Sequence, residues 1–195
     1  MIYRINEIFN SLQGEGYNQG RPVTFIRLSG CNLKCSWCDT DHTNNTPMLV
    51  TEILDKIERY NCRSVIITGG EPTTYNLTPL LTALKENNYW IGIESNGTNP
   101  FNNYYHQLDY IAVSPKGAFL NQKVDEVRVV NDNCTTEQLQ QIESKITATN
   151  YYISPKDENN NFNILNSMQL IGKINALSAN HWSISLQLHK LADIR

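Results

Sequence analysis

The sequence carries no excess of positive charge: 16 Lys and Arg stand against 19 Asp and Glu, a formal net charge of −3. Surfaces that live on phosphate contacts need clustered Lys and Arg, so no nucleic-acid partner is expected. Also missing is any apolar run near the roughly 20 residues that a bilayer span requires. The first residues, interrupted by Arg4, Asn6 and Glu7, do not read as a secretory signal. No membrane partner and a cytoplasmic location are the expectations. Cysteine is scarce and odd in number, with three of the five crowded into positions 31–38; in a reducing compartment this is no disulfide frame, and a metal is the first expectation. What is present suffices for an interior: 195 residues, 40% hydrophobic and 18% charged, fit a single domain over 1–195 with one core.

Runs of β-branched and aromatic residues recur at 23–28, 64–68, 90–94, 110–114, 126–130, 151–154 and 182–186, most of them separated by stretches of helical periodicity. Helices are predicted over 50–60, with Thr51 as N-cap, and over 78–87, 136–146 and 164–177. Parallel neighbours need crossover connections, so the alternation predicts an α/β fold with a largely parallel sheet. A complete eightfold barrel takes about 250 residues; this length suits a shortened, open barrel of about six parallel strands or a doubly wound sheet. Ligands of both architectures bind beyond the carboxyl ends of the strands. Thr68, Glu94, Ser114 and Ser154, at four such ends, are expected to share one mouth.

Cys31, Cys35 and Cys38 follow the first of these strands with C-x3-C-x2-C spacing. One loop of this kind brings three thiolates onto a single inorganic centre. A structural zinc wants four closed ligands, whereas a cubane held by three cysteines leaves one iron open. His42 is the candidate fourth ligand in the zinc reading, which would make the chain a non-catalytic binding module. Cys62 and Cys134 stand apart and receive no role. At 65–72, an apolar strand runs into Gly69-Gly70-Glu71-Pro72. Glycines allow close approach of a ligand, and strand-end carbonyls with the neighbouring carboxylate could hold an ammonium group; a plain strand-to-helix turn is the alternative.

The cysteine spacing together with the Gly-Gly-Glu-Pro strand end resembles the radical S-adenosylmethionine (SAM) superfamily. Within it, Ser11-Leu12-Gln13-Gly14-Glu15-Gly16, Arg27-Leu28-Ser29-Gly30-Cys31-Asn32, Trp37-Cys38-Asp39-Thr40, Glu94-Ser95-Asn96-Gly97-Thr98, Ser114-Pro115-Lys116 and 183–190 are similar to the 7-carboxy-7-deazaguanine synthase family, from one end of the chain to the other. The resemblance selects the open partial barrel of radical SAM type. It implies a queuosine-pathway enzyme that contracts the ring of 6-carboxy-5,6,7,8-tetrahydropterin to 7-carboxy-7-deazaguanine with loss of ammonia. In the family a 5'-deoxyadenosyl radical removes hydrogen from C6 of the substrate, and SAM is regenerated.

Carried over residue by residue, the resemblance implies a 4Fe-4S cluster on Cys31, Cys35 and Cys38 and SAM against Trp37, Asp39, Gly70, Ser114 and Lys116. Ser154 and Asp157 join the SAM site, although Ser154-Pro155-Lys156-Asp157 departs from the Gln-Pro-Met-Asp common in the family. It implies Mg2+ at Thr40, and substrate contacts from Leu12, Gln13, Gly14, Glu15, Arg27, Thr68, His189 and the terminal carboxylate of Arg195. The residues alone offer plainer roles: Trp37 as a packing lid, Thr40 as a cap, Ser114-Pro115-Lys116 as a turn, and His189 as a tail residue. Arg27 is different, because an unpaired charge in an apolar strand is costly, and its fork suits a carboxylate. A homodimer and a flavodoxin- or ferredoxin-like electron donor complete the family expectation. An activating enzyme that installs a glycyl radical in a partner protein shares the cysteine spacing and stands as the enzymatic alternative.

Overall fold

The computed structural model describes residues 1–38, 40–41, 44–101, 103–120, 122–157 and 162–194. Nine strands form one sheet: β1 Ile2–Leu12, β2 Pro22–Leu28, β3 Thr46–Leu49, β4 Ser64–Gly69, β5 Trp90–Ser95, β6 Tyr110–Val113, β7 Gln122–Asn131, β8 Ile146–Pro155 and β9 Trp182–Ile184. Their order is β3-β1-β2-β4-β5-β6-β7-β8-β9. From β2 onward every neighbouring pair is parallel, giving seven parallel strands where about six were expected. β1 and β3 are additions to the predicted set, and both pair antiparallel at the sheet's edge.

The helices are α1 Val50–Glu58, α2 Thr78–Glu86, α3 Thr136–Lys145, α4 Ile164–Asn175 and the short α5 Leu188–Leu191. Thr51 is not the N-cap of α1: it lies inside the helix, and Leu49 at the cap position donates its N–H to Glu52 Oε2 at 2.6 Å. α1 to α4 lay apolar stripes against the outer face of the sheet, with Ile53 and Ile57, Leu80, Leu81 and Leu84, Leu139 and Ile142, and Leu170 and Ile174 in one core with Ile26, Ile67, Ile93, Val127 and Ile153. Between β6 and β7 there is no helix among the described residues, only a short crossing that leaves the rim open there.

The sheet curls. Leu188, just beyond β9, donates its N–H to Gly14 O at 3.0 Å, and Gly14 lies just beyond β1. In a flat sheet those strands, seven positions apart, would be separated by about 30 Å. The curl encloses the second face, whose floor is Phe9, Val23, Phe25 and Ile66 with Trp90 packed against them. Strand alternation then fixes what points inward: Arg27 follows Phe25, Thr68 follows Ile66, Glu94 follows Gly92, Ser114 follows Ala112, and Arg128 follows Glu126. An inward polar residue stands at or near the carboxyl end of each of these strands, and these residues line a single cavity of about 520 Å³.

Candidate active site

All the sequence-predicted site residues that lie among the described ones line this cavity. Asp39, His42 and Arg195 lie outside the described residues. One wall is the cysteine loop. Its start is fixed by hydrogen bonds at Ser29, which donates N–H to Arg4 O and Oγ–H to Asn44 O, and whose carbonyl accepts from Tyr75. Asn32 is then tied to the end of β5: its Nδ2 donates to Thr98 Oγ1 at 2.8 Å, and Asn96 donates to its Oδ1 at 2.9 Å.

The paired glycines serve the same loop. Gly70 N–H donates to Leu28 O and Glu71 N–H to Gly30 O. A Cβ on Gly70 would overlap the Gly30 carbonyl, and one on Gly69, which adopts a φ of +126°, would overlap Leu28. The glycines are required because two backbones touch here. Glu71 does not hold a ligand ammonium, contrary to expectation. It is fully buried, and its carboxylate accepts from Thr73 N and Oγ1, Ser95 Oγ and Asn96 N. It is a strut between the ends of β4 and β5.

Cys31, Cys35 and Cys38 are free thiols facing the cavity. Burial raises the Cys35 thiol above its ordinary pKa, the Lys116 ammonium pulls it back, and the other two cysteines push it up. The three sulfurs and Lys116 therefore share one electrostatic neighbourhood, the donor set that a cysteine-ligated iron–sulfur cluster needs. Among the described residues no group of three His, Cys, Asp or Glu closes on a single metal ion. Trp37 Nε1 and Ser154 Oγ, both lining the cavity, are buried without a hydrogen-bond partner. Buried polar atoms of this kind are normally satisfied, and two of them lining one cavity, one on the cysteine loop and one near the end of β8, fit a polar ligand such as SAM. Gly70, Ser114 and Asp157 lie on the same lining, with Asp157 paired to Lys190 at 3.3 Å.

The opposite wall is polar. Arg27 is not unpaired: across the β1–β2 ladder its Nε donates to Glu7 Oε1 at 2.8 Å, and its Nη1 reaches Thr40 Oγ1 at 3.4 Å. The remaining guanidinium donors stay available to a carboxylate. Beyond β1, Gln13 donates Nε2–H to Glu94 Oε1 at 3.0 Å and accepts the N–H of Glu15 at 3.1 Å. Thr68 donates to Glu94 Oε2 at 2.9 Å. Burial alone would raise the Glu94 carboxyl, but the Arg128 guanidinium and the hydrogen bonds from Thr68 and Gln13 outweigh it and hold it below the usual carboxylate range.

Sequence reasoning missed Arg128 and gave Glu94 no role beyond its strand end. Arg128 stands in an apolar stretch of β7 as Arg27 does in β2, so the same argument reaches it. The 13–16 turn itself is sealed by the tail, for Gly16 N–H donates to Ser185 Oγ at 2.9 Å, and Gln19 Nε2 donates to both Gly14 O and Leu186 O. A methyl on Gly14 would fall on the His189 ring. A rotation about χ1 would move that ring aside, so Gly14→Ala is expected to displace His189 without unfolding the chain. Steady-state assays should show the substrate KM raised about tenfold, with an unchanged melting temperature.

The fold and the three-cysteine loop define a radical SAM protein, and the sequence pattern described as the Radical SAM superfamily matches residues 25–121. The chain is 42% identical to the 7-carboxy-7-deazaguanine synthase of Neisseria meningitidis serogroup B, over 98% of this chain and 94% of that protein. It is 40% identical to the enzyme of the same name from Bacteroides thetaiotaomicron over the whole of both chains. A crystal structure of QueE from Escherichia coli superposes with a TM-score of 0.71 at 26% identity, covering 97% of this chain and 95% of that one. The chain belongs to the 7-carboxy-7-deazaguanine synthase family of radical SAM enzymes, and with that membership come a 4Fe-4S cluster and SAM. No helix among the described residues is long and apolar enough to cross a membrane.

Proposed function

We propose that this chain converts 6-carboxy-5,6,7,8-tetrahydropterin into 7-carboxy-7-deazaguanine with release of ammonia. The carrying observation is that one cavity joins a three-thiol loop to an arginine on one side and a Gln13–Glu15–Glu94 acceptor group on the other. When bound, the cluster and SAM supply a 5'-deoxyadenosyl radical that takes a hydrogen atom from the substrate. Cys31, Cys35 and Cys38 would hold the cluster, and Trp37, Gly70, Ser114, Lys116, Ser154 and Asp157 would hold SAM, together with Asp39.

Arg27 grips the substrate carboxylate, and the Thr40 hydroxyl beside it would hold Mg2+, which would supply charge to orient that carboxylate. Glu15, Glu94, Gln13 and Thr68 accept from and donate to the N–H-rich pyrimidinone edge. Leu12, Gly14 and His189 close the wall, and the family resemblance would add the terminal carboxylate of Arg195. The family resemblance supports a homodimer, reduced by a flavodoxin- or ferredoxin-like donor, in the cytoplasm.

The test is anaerobic incubation of reconstituted protein with reductant, SAM, Mg2+ and the carboxypterin, followed by mass spectrometry. The deazaguanine should appear; an intact cluster that cleaves SAM without forming it would refute the substrate. Arg27→Ala should keep the cluster's visible absorbance and raise the substrate KM by at least about tenfold, since a charge-assisted fork is lost. Absorbance and steady-state kinetics check both halves of that expectation.

A further inference from the structure

Arg128 projects from β7 into the cavity and belongs to none of the sequence motifs that mark the site. Its Nη1 donates to Glu15 Oε2 at 2.6 Å and to Glu94 Oε1 at 3.2 Å, while Nε and Nη2 both engage Glu126 Oε1. Glu126 is fully buried and is itself held by the Tyr17 N–H at 2.9 Å and the Tyr110 hydroxyl at 2.8 Å. Three carboxylates thus surround one guanidinium whose position is set from behind. Glu15 and Glu94 bind the same nitrogen, which brings the two bonded oxygens within about 6 Å of each other, a distance at which like charges oppose joint ionisation.

We infer that Arg128 is a positioning residue: it keeps Glu15 and Glu94 together, both turned as acceptors toward the substrate edge, while its own donors are spent on protein carboxylates. This rests on the substrate reading above. Besides Glu15, Arg128 and Glu126, the polar groups around Glu94 are Gln13 from the turn and Thr68 from β4. Lys116 and His189 line the same cavity, and Tyr110 and Tyr152 lie beside Glu126. None of these but Arg128 places a cation against both carboxylates among the described residues.

Removing the guanidinium takes away the cation that holds the Glu94 carboxyl below the usual carboxylate range, while burial still pushes it up. A protonated Glu94 loses its acceptor role, so substrate binding weakens as pH falls. Two variants test this in cluster-loaded, full-length enzyme, with wild-type turnover as the control that separates failure of this inference from failure of the substrate assignment. Arg128→Met should raise the substrate KM by about tenfold or more at pH 7 and less at pH 8.5, with the visible spectrum of the cluster retained. Arg128→Lys keeps the charge but not the fork. It should raise KM by about threefold to tenfold, with no greater dependence on pH than the wild type.

A methionine variant with wild-type KM across that range overturns the inference, and so does a KM that rises equally at both pH values, which would mark mere structural damage. Should the methionine variant fail to load its cluster, the lysine variant decides: a wild-type KM, or one that climbs as pH falls, overturns the inference.

Discussion

Cys35→Ala is expected to abolish turnover by at least about a thousandfold and to drop bound iron from about four per chain toward none. Two thiolates cannot retain a cubane that three hold with one corner open, and Cys35 is the middle member of a loop pinned at Ser29 and Asn32. That pinning is why the fold should survive the loss: no thiol–thiol bond supports the loop, and its anchors are hydrogen bonds to β1, β5 and the residues after β4. Iron analysis, anaerobic product formation and circular dichroism on one sample distinguish loss of cluster from loss of structure. Full iron content in the alanine variant would remove the mechanistic basis of the assignment.

The second large effect belongs to a residue that touches no ligand. Glu71→Ala strips the acceptors from Ser95 Oγ, Asn96 N, Thr73 N and Thr73 Oγ1, all behind a fully buried position. Even if water recovers part of this, unsatisfied buried donors should cost about 3 kcal/mol, which for a domain of this size lowers the melting temperature by about 6–12 °C. The loss spreads to the cofactor side, because Glu71 N–H holds Gly30 O at the foot of the cysteine loop. Iron incorporation should fall with stability. Glu71→Gln keeps an acceptor oxygen but turns an amide toward donors, and should land between the two. Calorimetry with iron analysis checks the series, and a melting temperature within about 2 °C of wild type would show that the strut carries no load.

Much of the architecture was legible because parallel strands buried on the outer face are nearly continuous apolar runs, and all seven of them stand out against helical periodicity. β1 was not legible. Its 11 residues, Ile2–Leu12, mix Arg4, Asn6, Glu7 and Asn10 with apolar side chains, and its register slips between Ile5 and Glu7. What makes it a strand is the partner β2, and Glu7 lies opposite Arg27, a pairing that no local pattern announces.

The site divides along the same line. The cysteine loop, the glycine pair and the Gln13 turn are local words, and the structure gathers them into one cavity. The role of Glu71 was misread because a carboxylate beside two glycines looks available until its four donors, from beyond β4 and from the end of β5, are counted. Arg128 went unread because its meaning lies in Glu15, Glu94 and Glu126, which only the curl of the sheet brings to it.

The two walls of the cavity also differ in how much chain each needs. The anchors of the cysteine loop lie between Arg4 and Thr98, whereas the turn at Gly16 is fastened by Ser185, 169 residues away. On a ribosome, a nascent chain could therefore pin its cysteine loop long before the turn at Gly16 can be fastened. The Gly16 side of the cavity is thus the last to close during synthesis, after the segment at Ser185 and Leu186 has docked.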